Sequence, residues 1–258
     1  MLKDKVNLSV ITVHRGSLID LKRTLESIDR QVIQPKINVV IVRNVERYQI
    51  STYQKKERIF IFNKDSSIYN AMNIGIGMSE IKNTHLVFLN SGDVFLNKLT
   101  LSNLSKHLYF HKLIQGCVRL AWKDTHLNIK KTHFKNKHYS PHGAFICPPR
   151  IVNKLFNKRN KFNESHKIDA DGIWMNNIRK ECNSNILKIF MNISIHQLGG
   201  VSTDPTIKSV LMYFNIGLIK GIKELVKLAI QKLSITRIWY YKILYFYKYI
   251  EINKDYKD

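Results

Sequence analysis

Two neighbouring stretches decide how this chain folds. The first reads Asp65-Ser66-Ser67-Ile68-Tyr69-Asn70-Ala71-Met72-Asn73-Ile74-Gly75. The second reads His85-Leu86-Val87-Phe88-Leu89-Asn90-Ser91-Gly92-Asp93. The second is an apolar strand running into a small-residue turn that carries one carboxylate. In an open α/β sheet, ligands bind beyond the carboxyl ends of the strands. A lone acidic residue placed there, after Ser91-Gly92, suits a divalent cation that also holds phosphate oxygens. The first stretch, from 67 to 79, has the periodicity of a helix.

Working outward, Leu8–Val13 is a short β-branched run of the kind found in buried parallel strands. Leu18, Leu21, Leu25 and Ile28 follow at helical spacing, and Ile37–Val42 and Ile59–Phe62 supply two more strands. Strands alternating with helices imply βαβ units and a mostly parallel sheet. Further helices are expected at 97–110, after the Pro148-Pro149 pair, and from Asp171 to Lys180. Two short strands are expected between Leu113 and Lys131, another at Ile186–Phe190, and a turn at Gly199-Gly200.

Composition narrows the function. The chain has 258 residues, 44% hydrophobic and 24% charged, which is the profile of a globular protein. Its net charge of +23 calls for an anionic partner: nucleic acid, anionic lipid or a phosphorylated substrate. A genome that favours Lys, Asn and Ile accounts for part of that charge. Cys117, Cys147 and Cys182 are odd in number and widely spaced, so neither a disulfide framework nor a zinc site is expected, in keeping with a reducing cytosol. Met1-Leu2-Lys3-Asp4-Lys5 leads straight into a strand, so no signal peptide is expected. There is no uncharged apolar run of membrane-spanning length.

The 65–93 region closely resembles the family-2 glycosyltransferases of bacterial surface polysaccharide synthesis, the colanic-acid type included. There a D-x-G-I-Y-D-A-M-N-x-G-I stretch precedes a strand ending in an L-N-S-G-D-like motif. The resemblance covers roughly residues 7–204, with further matches at 140–145, 167–171 and 199–202. It implies a GT-A fold over 1–205; residues 206–258 read, from their own composition, as a C-terminal helical, basic-aromatic extension. It also implies an inverting transfer of sugar from a nucleotide-sugar donor to a saccharide or lipid-linked saccharide acceptor, with Mn²⁺ or Mg²⁺ as cofactor.

Each site residue carries a role under that resemblance. Asp93 would hold the metal, and Ser91 and Gly92 would flank the donor diphosphate. Asp171, in Lys167-Ile168-Asp169-Ala170-Asp171, aligns with the base that takes the acceptor hydroxyl's proton, with Asp169 as its neighbouring alternative. Thr12, His14 and Arg15 occupy the turn that holds the base and ribose. Asp65 would face the nucleotide, and Asn73 the ribose or diphosphate. Tyr69 and Met72 read as core residues of their helix. His142, in a stretch similar to H-Q-A-x-F, would line the acceptor side, and His196, before the G-G-I-S-like loop, is a second candidate metal ligand.

This chain also departs from the pattern. Where relatives place a carboxylate after the second strand, it has Arg43-Asn44, and the Asp that usually follows the motif's Tyr is Asn70. Both changes make the pocket more positive. They keep open a second reading, a catalytically degenerate relative that binds membrane or a partner. A third, nucleic-acid binding, rests on charge alone; no RRM, helix-turn-helix or zinc pattern supports it, so no nucleic acid is expected as partner.

After Pro205 the composition changes. Residues 206–258 hold ten basic residues against four acidic ones, amid many Leu, Ile, Tyr and Phe. Ile222, Leu225, Val226 and Ala229 share one helical face, and Lys220, Lys223 and Lys227 another. Trp239, Tyr240, Tyr241, Tyr245, Phe246, Tyr247 and Tyr249 surround Arg237, Lys242 and Lys248. A cationic amphipathic helix rich in aromatics is expected to lie on an anionic membrane surface, here the inner face of the cell membrane. The alternative is a helical hairpin packed on the catalytic domain.

Overall fold

A computed structural model describes residues 4–64, 67–122, 125–129, 142–157, 162–165, 170–197, 210–211, 218–233 and 250–253. Asp65, Asp169 and the Gly199-Gly200 turn lie outside the described residues. The chain forms two compact units, one of residues 1–118 and 140–195, the other of 119–139 and 196–258.

The first unit is built on a parallel sheet. Strand β1 (Lys5–His14) lies between β2 (Gln34–Val42) and β4 (His85–Phe88), and β3 (Arg58–Phe62) pairs with β2, giving the order β3-β2-β1-β4. Every pairing in it is parallel. Leu8, Val10, Ile11 and Val13 are buried on both faces of β1, which is why this run shows no polar alternation. Helix α1 (Leu18–Asp29) starts at Ser17, whose side chain accepts from the Ile19 N–H, and buries Leu21, Leu25 and Ile28. Helix α2 (Ile68–Ile76) is capped by Ser67 and packs on β1 and β2. Its Gly75 allows that approach: a Cβ there would sit 2.7 Å from Ile11 Cγ2. Overpacking at such a contact costs about 1–3 kcal/mol.

Because β4 returns to the other side of β1 after β2 and β3 have been laid down, the strand order reverses between β1 and β4. Such a switch point leaves a crevice beyond the strand ends. Past β4 the chain adds β5 (Val94–Phe95), α3 (Thr100–Leu108), β6 (Leu113–Trp122) and β7 (Thr125–Ile129). The short β8 (Phe145–Ile146) pairs with β6 and leads into α4 (Pro149–Asn157). Helix α5 (Ala170–Cys182) and β9 (Ile186–Gln197) follow, and β9 pairs antiparallel with β5. The main core gathers Ile11, Met72, Phe88, Phe145, Phe162 and Trp174 between α2, the sheet and α5. The expected parallel α/β architecture is therefore present. The two-residue strands β5 and β8 lie below the length at which periodicity is readable.

In the second unit, β7 forms a hairpin with the end of β6, and α6 (Leu218–Leu233) is the helix anticipated around Lys220–Lys227. The tail is not helical throughout: β10 (Ile250–Asn253) pairs antiparallel with β7. Among the described residues, no helix is long and apolar enough to cross a membrane.

Candidate active site

The crevice at the strand switch is closed by one hydrogen bond, between His14 Nδ1 at the end of β1 and Ser91 Oγ after β4, at 2.9 Å. Ser91 N–H also donates to the Val13 carbonyl at 3.0 Å, so the turn after β4 is laced to the tip of β1. His14 is 2% exposed, and burial lowers its pKa against the opposing pull of Asp20, so the imidazole is neutral at pH 7. Its Nε2 is buried and without a hydrogen-bond partner among the described residues. His14 lines a cleft between the carboxyl ends of β1 and β2 and the start of α2, together with Arg15, Arg43, Asn63 and Ser67. A buried polar atom with no partner among the described residues, on a histidine that borders a cleft with two arginines, suits a polar, electron-rich ligand.

Asp93 is 4% exposed. Its turn is held from three sides. Asp93 N–H donates to the Asn90 carbonyl at 2.9 Å, and Gly92 N–H reaches Thr24 Oγ1 at 2.9 Å. Thr24 in turn donates its hydroxyl to the Asp93 carbonyl at 2.7 Å. Gly92 has φ of +98°, a conformation that a residue with a Cβ rarely adopts, which explains a glycine at that point. Thr24, on α1, was missed by the sequence reading: a Thr inside an amphipathic helix carries no signal of its own, and only the fold places it under the turn.

The other expected residues divide. Thr12 is fully buried, and its hydroxyl takes a hydrogen bond from Asn38 Nδ2 at 3.4 Å. Asn38 in turn accepts from Arg58 Nε at 2.8 Å, and Arg58 pairs with Asp29. Thr12 thus belongs to a buried polar network inside the sheet and not to the cleft. The Asn73 amide is committed to the segment after α4. It donates to the Phe162 carbonyl at 3.0 Å and to Glu164 Oε1 at 2.7 Å, and accepts from Phe162 N–H at 2.7 Å. Asn70 donates to the other oxygen of Glu164 and accepts from Asn63. Asn73 therefore fastens α2 to the 162–165 segment, while Asn63 brings the same network to the edge of the cleft.

Asp171 stands in the first turn of α5, half-buried. Its Oδ1 accepts from its neighbour Gly172 N–H at 2.9 Å and from Tyr69 Oη at 3.4 Å. His142 opens the short helical turn His142–Ala144 just before β8, where the Gly143 carbonyl accepts from Ser194 Oγ. His196 lies near the end of β9, in the second unit.

Among the described residues, no three His, Cys, Asp or Glu side chains gather to hold a metal. The carboxylate on the turn after β4 is Asp93, held in place by main-chain bonds and Thr24. This fits Mg²⁺ or Mn²⁺ where phosphate oxygens and waters complete the shell, and does not fit a metal caged by protein alone.

Comparison with known proteins agrees with this architecture. The structure of residues 1–349 of Staphylococcus aureus TarS in complex with UDP-GlcNAc superposes with a TM-score of 0.59 at 14% identity, covering 92% of this chain and 75% of that one. The mannosyltransferase PcManGT from Pyrobaculum calidifontis, in complex with GDP-Man and Mn²⁺, gives a TM-score of 0.55 at 11% identity over 88% of this chain and 66% of that one. The chain spans 44% of the longer TarS structure. No protein-family model and no curated protein matches the sequence. At these identities the likeness establishes the fold, which is GT-A.

Proposed function

We propose that this chain is an inverting glycosyltransferase that moves a sugar from a nucleotide-sugar donor to a saccharide or lipid-linked saccharide, in bacterial surface polysaccharide synthesis. The observation that carries the reading is the cleft at the carboxyl ends of β1 and β2, beside the strand switch. There a neutral His14 and the cleft with Arg15 and Arg43 adjoin the turn that ends in the buried Asp93. The four residues of that assembly come from the ends of three different strands, which the strand order β3-β2-β1-β4 brings together.

In this reading the nucleotide lies in the cleft, with His14 Nε2 and the arginines meeting its polar edge. Asp93 would hold a divalent cation, which when bound would neutralise the charge that builds as the nucleoside diphosphate leaves. The acceptor hydroxyl oxygen attacks the anomeric carbon from the face opposite the leaving oxygen. Its proton passes to Asp171, and configuration inverts. The excess of positive charge at Arg43, where relatives carry a carboxylate, favours an anionic donor and leaves its base to this chain's own residues.

A membrane surface belongs to the same reading, and helix α6 supports it. Helix α6 buries Gly221 and Glu224 and turns Leu218, Ile219, Ile222, Leu225 and Val226 outward, with exposed Lys220 and Lys223 alongside. A helix packed only within a protein has the opposite arrangement. An apolar stripe beside lysines is the arrangement of an interfacial helix.

The test is a panel of nucleotide-sugars with Mn²⁺, read by release of nucleoside diphosphate and by sugar transfer. One donor should be hydrolysed in a manner abolished by EDTA and by Asp93→Ala. Nucleotide binding without turnover of any donor would replace this reading with that of a catalytically degenerate relative.

A further inference from the structure

Tyr69, the second residue of α2, carries more than the core role that its sequence position suggests. Its ring is buried and stacks on Phe162, centroids 5.8 Å apart and planes 17° apart. Phe162 stacks in turn on Trp174, at 4.6 Å and 20°. Trp174 lies one turn along α5 from Asp171. Three rings in series therefore register α2 against the helix that bears the carboxylate. Asn73 locks the middle ring by bonding both the N–H and the carbonyl of Phe162. At the end of this stack the Tyr69 hydroxyl donates to Asp171 Oδ1, the same oxygen that Gly172 N–H occupies.

We propose that Tyr69 is a positioning residue for glycosyl transfer: its hydroxyl, with the Gly172 N–H, fixes the orientation of the Asp171 carboxylate toward the acceptor hydroxyl. This rests on the reading of Asp171 as the base. A carboxylate's terminal torsion is broad and two-fold, so a carboxylate with no fixed donor samples many orientations. Two donors on one oxygen remove that freedom. Burial and the neighbouring Asp171 charge push the Tyr69 phenol far upward, so it stays protonated and acts only as a donor. The proton of the acceptor goes to Asp171, and Tyr69 keeps its own throughout.

The full-length chain is compared with Tyr69→Phe, Asp171→Asn and the double variant, measuring kcat, the KM for donor and the melting temperature. Tyr69→Phe keeps the stacked ring, so melting and donor KM should stay as in the parent. Its kcat should fall about 10–100-fold, the usual result of a misplaced catalytic group. The double variant should be no slower than Asp171→Asn alone, since without the base there is nothing left to orient. A crippled Asp171→Asn beside a fully active Tyr69→Phe would overturn the proposal and leave Tyr69 as packing. Losses that multiply in the double variant would overturn it as well, because the two side chains would then act independently. A mild Asp171→Asn would instead remove the base reading on which the proposal stands. Binding of nucleoside diphosphate to Tyr69→Phe, read by thermal shift, confirms that the variant is folded and that its donor site is intact.

Discussion

The turn at Leu89–Asp93 and helix α6 break the rule of apolar inside and polar outside in opposite directions. The turn buries a carboxylate: Asp93 is 4% exposed, in a loop secured by Thr24 and by the tip of β1. The helix exposes its oil: Leu218 is 67% and Ile219 70% exposed, while Glu224 on the same helix is 2% exposed and bonded to Lys227. Either departure costs stability in an isolated protein, through desolvation of charge in the first case and hydration of apolar surface in the second. Under the proposed reading each cost is offset when a ligand arrives, a cation at the turn and a lipid surface at the helix. Places where a fold tolerates such costs are the places to look for function.

The largest effect should come from the carboxylates of the first unit. Asp171→Asn retains size but loses the proton acceptor, and loss of a general base lowers kcat about 10²–10⁴-fold. Asp93→Ala should abolish metal-dependent transfer while the chain still melts cooperatively, since main-chain groups and Thr24 also hold its turn. Full activity of Asp93→Ala in EDTA would make the buried carboxylate a structural oddity and dissolve the comparison.

A control lies at the other end of the same strand. His85 opens β4 and is as buried as Asp93, yet it faces His111 and the Asn7 carbonyl, away from the crevice. Burial lowers its pKa to about 4. A histidine depressed in the folded state stabilises above the unfolded pKa, and that stability is lost as pH falls, here between about 6.5 and about 4. The shift corresponds to about 3 kcal/mol between neutral pH and pH below both values. His85→Gln should flatten the pH dependence of unfolding in that window, read by denaturant melts, with no change in donor affinity. A loss of donor affinity in this variant would mean that buried polar groups along β4 are not separable into structural and functional ones.

Thr24→Val removes the hydroxyl that joins Gly92 N–H and the Asp93 carbonyl, at almost constant volume. Leaving these buried main-chain groups without their partner costs about 1–3 kcal/mol. Metal-dependent nucleotide binding should weaken along with stability, because the turn that carries Asp93 loosens. Stability loss with unchanged binding would show that the turn is held by β1 alone.

Much of this was legible in the chain before any coordinates. Strands β1 to β4 are apolar runs bounded by turn residues, and their alternation with α1 and α2 dictates a parallel sheet. The Ser91-Gly92-Asp93 turn was legible because only a glycine meets its backbone geometry. What escaped was everything made by distance in sequence. Thr24 reaches Asp93, Tyr69 reaches Asp171 across about a hundred residues, and Glu164 binds Asn70 and Asn73. No local periodicity encodes such contacts. Thr12 and Asn73 show the converse: motif position assigns them to the ligand, while the fold uses their polar atoms to hold β1 and the 162–165 segment in place.

The smallest effect, and the finest test of the contrast, concerns the helix. Lys220 and Lys223 stand beside the apolar stripe of α6, and each cation near an anionic surface contributes about 1 kcal/mol, a term that salt screens. Burial of Ile222 and Leu225 in the interface adds a term that salt does not screen. Co-sedimentation with vesicles containing phosphatidylserine should therefore weaken, without vanishing, as salt rises. The variant Lys220→Gln/Lys223→Gln should bind about as weakly in low salt as the parent does in high salt. Ile222→Glu/Leu225→Glu should lose the salt-resistant part while retaining nucleotide binding, because the donor cleft belongs to the first unit. If the charged variant binds vesicles as the parent does but runs as a smaller species in solution, the stripe is a contact between copies of the chain. Exposed oil on α6 would then mark a protein partner rather than a membrane.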